Sequence, residues 1–339
     1  MKNKVLVSAI GGPTGLGIIK ALCSDDDVFV IGLDMDSFCP VKKYVDKFIT
    51  CPAINDSNYI DFVNKLIREN GVDLYFPTLQ PELMHIEKIC CSVASPQKSL
   101  IDLTLDKVKL YKYLQSENFE SIIPDYVVIN CYEDLRMFYD KYKLLKRPIC
   151  LKEVNGHGGV GFKIIDTPTN VASSFLKGQS SNRHTLKAIE EIFNGLGLSK
   201  DSLMGCEYLD GEEFSIDVVA QEGTVKAIVT RRRNRVSNGI VLEGEVIENL
   251  ELIRIVEKIA LMIGLHGFSN IQFRYHEGKP KLIDFNPRFC GSQLISFGAG
   301  INFPRMVIDL LKGVELPKLE VKWGMRSKRY WEMEFCYED

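Results

Sequence analysis

The stretch "SAIGGPTGLG", Ser8 to Gly17, stands between an apolar run, "KVLV", and a helix-like segment, "IIKALCS". A strand that passes through a glycine turn straight into a helix commits the chain to a β-α-β layout, because the helix must cross back before the next parallel strand can pair. The rhythm continues. "VFVIGLD" reads as a second strand ending on Asp34, "KFITCPA" as a short strand, and "NYIDFVNKLIRENG" as a helix stopped by Gly71. "VDLYFPT" gives a further strand before a helix at 81–91. Residues 1–100 are therefore expected to form a Rossmann-like, doubly wound parallel sheet.

Near residue 100 the rhythm changes, which marks a domain boundary. A helix over "LTLDKVKLYKYLQSENF", opened by Thr104 or Asp106, leads through "SIIPDYVVIN" to the helix "YEDLRMFYDKYKLL" and the strand "PICLKEV". A helix is expected around 184–196. From "LMGCEYL" to "RYWEMEF" strands dominate, interrupted by an amphipathic helix at 249–264. A length of 339 residues also calls for more than one domain. The expected division is 1–100, 101–315 with a lid at about 125–205, and a strand-rich extension over 316–339.

Charge and cysteine usage exclude several classes. A net charge of −3 and a pI near 6.1 give no electrostatic case for nucleic acid or an anionic membrane. Ten cysteines without a C-x-x-C, and five histidines apart from one another, point to reduced thiols and no zinc site. The N-terminus has no apolar signal region, and no apolar run reaches membrane length, so a cytoplasmic location is expected.

The opening loop admits a dinucleotide. Gly11, Gly12, Gly15 and Gly17 fit the fingerprint, and Asp34 falls where a ribose-binding carboxylate would stand. Tyr139 and Lys143 supply a Y-x-x-x-K spacing, so an NAD(P)-dependent oxidoreductase is the alternative from another class. Against it, Leu135, Phe138, Tyr142 and Leu145 explain that helix as core packing, and the glycines suit a turn that lets a helix sit closely on a strand.

Four other stretches carry chemistry. "LKEVNGHGGVGFKII" sets Gly156, Gly158, Gly159 and Gly161 between two strand-like runs, a hairpin able to close over phosphates, with Lys152 just before it. In "SNIQFRYHEGKPKLIDFNPRFCGSQ", Asp284, Asn286 and Arg288 alternate on one face, with Ile283 and Phe285 on the other. If the hairpin centres on Gly278, Gln272 lies directly opposite Asp284, and this face offers hard oxygen ligands for Mg²⁺. "EYLDGEEFSID" is either a plain hairpin, turned at Gly211 with Glu213, Ser215 and Asp217 alternating, or a hinge for a purine base. The run "RRRNR", Arg231 to Arg235, includes arginines suited to an acidic substrate, Arg231 and Arg233 among them, beside others that form a solvated face.

Taken in order, Lys107, Lys152 with its hairpin, Glu207-Tyr208-Leu209, Glu213, Gln272 and Asp284-x-Asn286-Pro287-Arg288 resemble the ATP-grasp superfamily. The resemblance is to the carbamoyl-phosphate-synthase-like branch that includes the pyrrolysine-biosynthesis ligase. "GGPTGLG", "GLDMD" and "FPTLQPEL" are similar to the domain preceding the grasp there. The resemblance implies an α/β and α+β chain, a Rossmann-like domain followed by a two-lobed ATP-grasp fold. It implies that Lys107 and Lys152 contact ATP phosphates under a lid that includes Gly158, Gly159, Val160 and Gly161. Glu207, Tyr208 and Leu209 would line the adenine hinge and Glu213 would bind ribose. Gln272, Asp284 and Asn286 would hold Mg²⁺ (or Mn²⁺), and Arg288 would steady the γ-phosphoryl group. Gly12, Arg231, Arg233, Gly291 and Ser292 are assigned to the substrate. Two positions depart from the family: Asp284 stands where it has Glu, and Glu153 follows Lys152 where proline is common.

The implied activity is an ATP- and Mg²⁺-dependent carboxylate–amine ligase working through an acyl phosphate, on an amino acid or small acid. Alternatives are a carboxylase or carbamoyl-phosphate-type reaction, or a non-catalytic nucleotide-binding regulator. The expected partners are a small carboxylate and an amine. A homodimer is allowed; nucleic acid and membrane are not expected.

Overall fold

The computed structural model describes residues 2–156, 161–177, 182–196, 202–237, 239–316 and 319–335. The chain opens with β1 (Asn3–Val7), α1 (Pro13–Leu22), β2 (Val28–Asp34), β3 (Lys47–Thr50), α2 (Tyr59–Asn70), β4 (Leu74–Phe76), α3 (Gln80–Leu83), β5 (Ser92–Val93) and α4 (Lys98–Thr104). It continues through α5 (Lys107–Ser116), β6 (Tyr126–Ile129), α6 (Tyr132–Leu144), β7 (Ile149–Glu153), β8 (Lys163–Ile165), α7 (Pro168–Leu176), β9 (Arg183–His184), α8 (Leu186–Leu196) and β10 (Leu203–Glu207). The last part holds β11 (Glu213–Gln221), β12 (Thr224–Ser237), β13 (Ile240–Val246), α9 (Leu250–Met262), β14 (Gly267–His276), β15 (Lys279–Asn286), α10 (Leu294–Gly298), α11 (Phe303–Leu311) and β16 (Arg326–Lys328).

Two compact units result. One comprises Met1–Asp102, Glu213–Gln272 and Phe285–Asp339; the other comprises Leu103–Glu212 and Phe273–Asp284. The first contains the expected parallel sheet, in the order β3-β2-β1-β4-β5. Its alternation is clean. Val5 and Val7 join one core with Val30, Phe76, Val229 and Phe303, while Leu6 faces the other core with Ile31, Tyr59 and Val63. A second sheet runs β6-β10-β7-β8-β9, and a third runs β15-β14-β11-β12-β13-β16.

The glycine turn places α1 against the loop that precedes it. A Cβ on Gly15 would come within 2.6 Å of Ile10 Cα and 2.7 Å of the Ala9 carbonyl oxygen, both backbone atoms that cannot swing aside. The close helix–loop contact therefore requires glycine at this position. Gly12 is less constrained, since its nearest such neighbour is the Ala9 oxygen at 3.3 Å.

Several expected elements differ. The helix at 81–91 is a single turn, α3, followed by a short 3-10 turn at Ile86–Lys88. The helix around 184–196 begins at Leu186, after β9. In α6, Leu135, Phe138 and Tyr142 are buried as expected, but Leu145 lies beyond the last turn and is 58% exposed; Tyr139 is buried in its stead. Among the described residues of 316–339 there is one strand, β16.

Replacing Gly15 by alanine is expected to cost about 1–3 kcal/mol through overpacking. Urea unfolding should show a clearly lower midpoint for Gly15→Ala than for Gly12→Ala. Equal midpoints would contradict the backbone contact.

Candidate active site

Within the unit formed by Leu103–Glu212 and Phe273–Asp284, the sequence-expected phosphate contacts come together. Asp106 caps α5 by accepting from the Lys109 amide at 2.8 Å, which sets Lys107 on the first turn. The Lys107 ammonium, only 10% exposed, donates to the carbonyl of Gly156 and lies 3.6 Å from Asp284 Oδ1. Its own amide donates to Val154 at 3.2 Å, so both ends of the residue are tied to the strand that enters the glycine hairpin.

Lys152, on β7, donates to the Tyr111 hydroxyl at 3.4 Å and sits 5.7 Å from that ring's centroid. Tyr111 in turn donates to the Leu282 carbonyl at 2.8 Å. Burial favours the neutral amine of Lys152. Coulombic attraction to the acidic groups around it, Asp284 among them, opposes this, and the Lys152 pKa is raised. A pair of charged lysines beside one carboxylate is suited to phosphate oxygens and a divalent cation.

Glu153, the departure at the base of the hairpin, has a clear place. Cβ atoms added at Gly156 and Gly161 would meet the Glu153 side chain at 2.8 Å and 3.1 Å, so both glycines pack against it; Gly161 also has φ +73°. Gly158, Gly159 and Val160 lie outside the described residues. At the expected adenine hinge, Glu207 Oε1 accepts from the Asp125 amide at 3.0 Å. The Tyr208 ring lies 5.4 Å from the Arg183 guanidinium, and the Leu209 carbonyl accepts from Arg274 at 3.2 Å.

The hairpin between β14 and β15 turns at Glu277 and Gly278, with φ of +50° and +75°, as a two-residue I′ loop requires. Its centre falls between these residues and not on Gly278, so the condition for Gln272 to face Asp284 directly is not met at the turn. Strict alternation also fails along β15. Leu282 and Phe285 are both buried, and Ile283 is half-buried.

In the unit containing Glu213–Gln272 and Phe285–Asp339, Arg233 gathers two expected site residues. It pairs with Glu213, donates to Gln272 Oε1 at 3.0 Å, and reaches the Gly239 carbonyl at 2.9 Å. Arg231 is placed differently from a substrate-binding arginine. It is 1% exposed, and its guanidinium meets Asp217 Oδ1 at 2.6 Å, Ser215 Oγ at 3.3 Å and the Ser292 carbonyl at 2.7 Å. Asn270 donates to Asp217 Oδ1 at 2.8 Å, and Ser296 donates to Oδ2 at 2.7 Å. Asn270 and Ser296 are missing from the sequence reading, and Asp217 enters it only as one of the alternating residues of a hairpin or purine hinge. Their signal was a lone aspartate within the apolar run "FSIDVVA", which a fold can bury only with a cationic partner.

Asn286, the last residue of β15, is buried, and beyond it the Arg288 guanidinium donates to the Phe289 carbonyl at 2.8 Å. Phe289 stacks on Phe268 with centroids 4.0 Å apart and meets Phe76 edge-on at 5.6 Å, which anchors the segment. Gly291 packs on Pro13, where a Cβ would come within 2.8 Å of the proline ring.

The opening loop holds its own carboxylate. Asp34 Oδ2 accepts from the Gly11 amide at 2.8 Å, and the Gly12 amide donates to Ala9 at 3.1 Å. Asp34 Oδ1 is taken by the Asp36 amide at 3.0 Å. The groups a dinucleotide or a substrate anion would use at Gly11, Gly12 and Asp34 thus satisfy one another. Among the described residues, no cluster of three or more His, Cys, Asp or Glu side chains forms a metal site, and no helix is long and apolar enough to cross a membrane.

This architecture is that of the ATP-grasp proteins, and the chain carries an ATP-grasp domain preceded by a PylC-like N-terminal domain. Residues 199–330 match the family described as ATP-grasp in the biosynthetic pathway with Ter operon, and residues 17–94 match the PylC-like N-terminal domain. An uncharacterized protein of Methanocaldococcus jannaschii is 24% identical over 270 residues, 75% of this chain and 59% of that one. The chain thus spans under two thirds of that curated relative's length. Among solved structures, N5-carboxyaminoimidazole synthetase from Staphylococcus aureus aligns with a TM-score of 0.68 at 15% identity, over 95% of this chain and 81% of that one. The biotin carboxylase domain of 2-oxoglutarate carboxylase from Hydrogenobacter thermophilus, in complex with MgADP, ADP and bicarbonate, gives 0.67 at 17%, over 96% and 73%. L-amino acid ligase from Bacillus licheniformis gives 0.64 at 18%, over 92% and 74%. These likenesses establish the fold, and none of them supports the oxidoreductase alternative.

The buried ion pair makes a sharp prediction. Asp217→Ala should destabilise the protein by about 3–5 kcal/mol, because it leaves the Arg231 charge buried without its counter-ion. The double replacement Asp217→Leu with Arg231→Met should recover part of that loss in urea unfolding. A silent Asp217→Ala would show that the pair is unimportant.

Proposed function

We propose that this protein is an ATP- and Mg²⁺-dependent carboxylate–amine ligase. The observation that carries this is the grouping of Lys107, Lys152 and Asp284 within one unit, with Lys107 bonded to the first glycine of the hairpin and 3.6 Å from the carboxylate. Two lysines and one hard oxygen ligand are what triphosphate chemistry needs. Support comes also from a structural neighbour that holds MgADP and from another that is an amino acid ligase.

Asp284 is a donor suited to Mg²⁺, a cation that takes one or two carboxylates and completes its shell with phosphate oxygens and water. Asp284 is the carboxylate, and Asn286, two residues on, and Gln272 are the amide oxygens assigned to it. When bound, the ion neutralises phosphate charge. Lys107 and Lys152 do the same for the triphosphate oxygens, and Arg288 is assigned to the γ-phosphoryl group. Glu207 to Leu209 are assigned to the adenine and Glu213 to the ribose. The carboxylate substrate takes the γ-phosphoryl group, its C–O⁻ oxygen forming the new P–O bond while ADP leaves. The amine then attacks the acyl carbon, inorganic phosphate leaves, and the amine's proton passes to solvent. Residues 1–100, 101–315 and 316–339 are proposed as its domains, with the glycine hairpin as the lid.

Mg-ATP should raise the thermal midpoint of the protein, and NAD(P)H should not. Lys152→Met and Asp284→Asn should each lower ADP release at least 100-fold, on the scale of losing one group that stabilises transition-state charge, while leaving the circular dichroism unchanged. A screen of acid and amine pairs, with bicarbonate as one of the acids, separates ligase from carboxylase. Stabilisation by NAD(P)H alone, or unchanged turnover in both variants, would refute the assignment.

A further inference from the structure

Arg329 follows β16 directly and is half-buried. Its amide donates to the Leu242 carbonyl at 2.8 Å, which continues the β13–β16 pairing by one residue. Its Nε donates to the Val241 carbonyl at 3.3 Å and its Nη2 to the Gly291 carbonyl at 2.9 Å. These three partners are neutral backbone groups, and among the described residues no carboxylate pairs with this guanidinium.

The neighbouring cations of the same unit are treated differently. Arg231 has Asp217, Arg232 has Glu245, Arg233 has Glu213, and Lys328, the residue just before, has Glu243 at 3.1 Å. For Arg329, burial lowers the pKa and no acid opposes it. Removing a cation partly from water without a counter-ion is costly, and a bound anion would offset that cost. Two carbonyls fix the plane of the fork through Nε and Nη2, and Nη1 has no partner among the described residues. A guanidinium held in this way is preorganised for a planar oxyanion.

We propose that Arg329 binds an oxyanion of the substrate, a carboxylate or phosphate other than the one being activated. The site deepens the ligase assignment and rests on it: a carboxylate on the nucleophile makes that nucleophile an amino acid, in contrast to ammonia or a simple amine. Its place supports this, because the carbonyl that fixes Nη2 belongs to Gly291, three residues after Arg288 on the segment anchored by Phe289. Arg329 is a specificity residue here; it takes no part in phosphoryl transfer.

The test uses thermal shift on the full chain at saturating Mg-ADP and low chloride, with wild type, Arg329→Met and Arg329→Lys. The probes are the twenty L-amino acids, the carboxamides of glycine, alanine, glutamate and lysine, and inorganic phosphate. One or more amino acids should stabilise the wild type while the matching carboxamide does not. Arg329→Met should raise the half-saturating concentration about tenfold or more, as expected for loss of a charge-assisted hydrogen bond, and Arg329→Lys should restore part of the affinity. A response to phosphate, lost in Arg329→Met, would assign a phosphate-bearing substrate to the same site. The proposal is overturned if no probe stabilises the wild type, or if wild type and Arg329→Met respond alike. Mg-ADP alone should stabilise all three proteins. Its failure on the wild type would refute the ATP assignment separately, whatever the anion probes show.

Discussion

The buried pair of Arg231 and Asp217 organises the unit that carries the end of the ATP-grasp domain. Two opposite charges with almost no solvent access need further hydrogen bonds around them, and here these come from four directions, with Arg231 Nε alone of the guanidinium nitrogens buried and unpartnered among the described residues. Ser215 lies on the same strand as Asp217, Asn270 comes from β14, Ser296 from α10, and the Ser292 carbonyl from the segment after Arg288. Geometry this demanding couples strand register to the position of the 290–296 segment. Residues that sit on that segment, Gly291 included, inherit their positions from it.

The other unit is built around a different tension. Lys107 and Lys152 sit in a partly dry setting, with Asp284, the Tyr111 ring and backbone carbonyls around them. Such a set is preorganised for a polyanion, and the glycine hairpin begins where Lys107 ends. Glu153 shows how the departure from proline is accommodated: two glycines leave room for its side chain at the hairpin base. An alanine at Gly156 would collide with the Glu153 Cβ, and one at Gly161 would be strained by its positive φ.

Much of this was legible in residue order. The β-α-β rhythm identified the parallel sheet, and periodicity located α1, α2, α5, α6 and α9 to within a few residues. Lys152 was visible because a lysine beside a glycine hairpin is a local pattern, whereas Lys107 came only with the family resemblance. The role of the opening loop was not legible. Gly11, Gly12 and Asp34 have the composition of a cofactor fingerprint, and only the structure shows that the Gly11 amide is taken by Asp34 and the Gly12 amide by the Ala9 carbonyl. Likewise, Arg231 inside a basic run looked available for a ligand, because sequence shows charge but not solvent access.

A single irregularity separates what the sequence determined from what tertiary structure decided. The glutamate–glycine turn at Glu222 and Gly223, both with positive φ, fixes a two-residue hairpin, and a regular ladder from it would set Thr230 opposite Ser215. The observed ladder shifts by one residue between Val219 and Ala220, so that Arg231 faces Ser215 and lies on the side of Asp217. Local sequence therefore determined the turn, the strands and their alternation. The shift brings Arg231 beside Asp217, and the other partners of that pair come from β14, α10 and the 290–296 segment, which only the tertiary structure brings there.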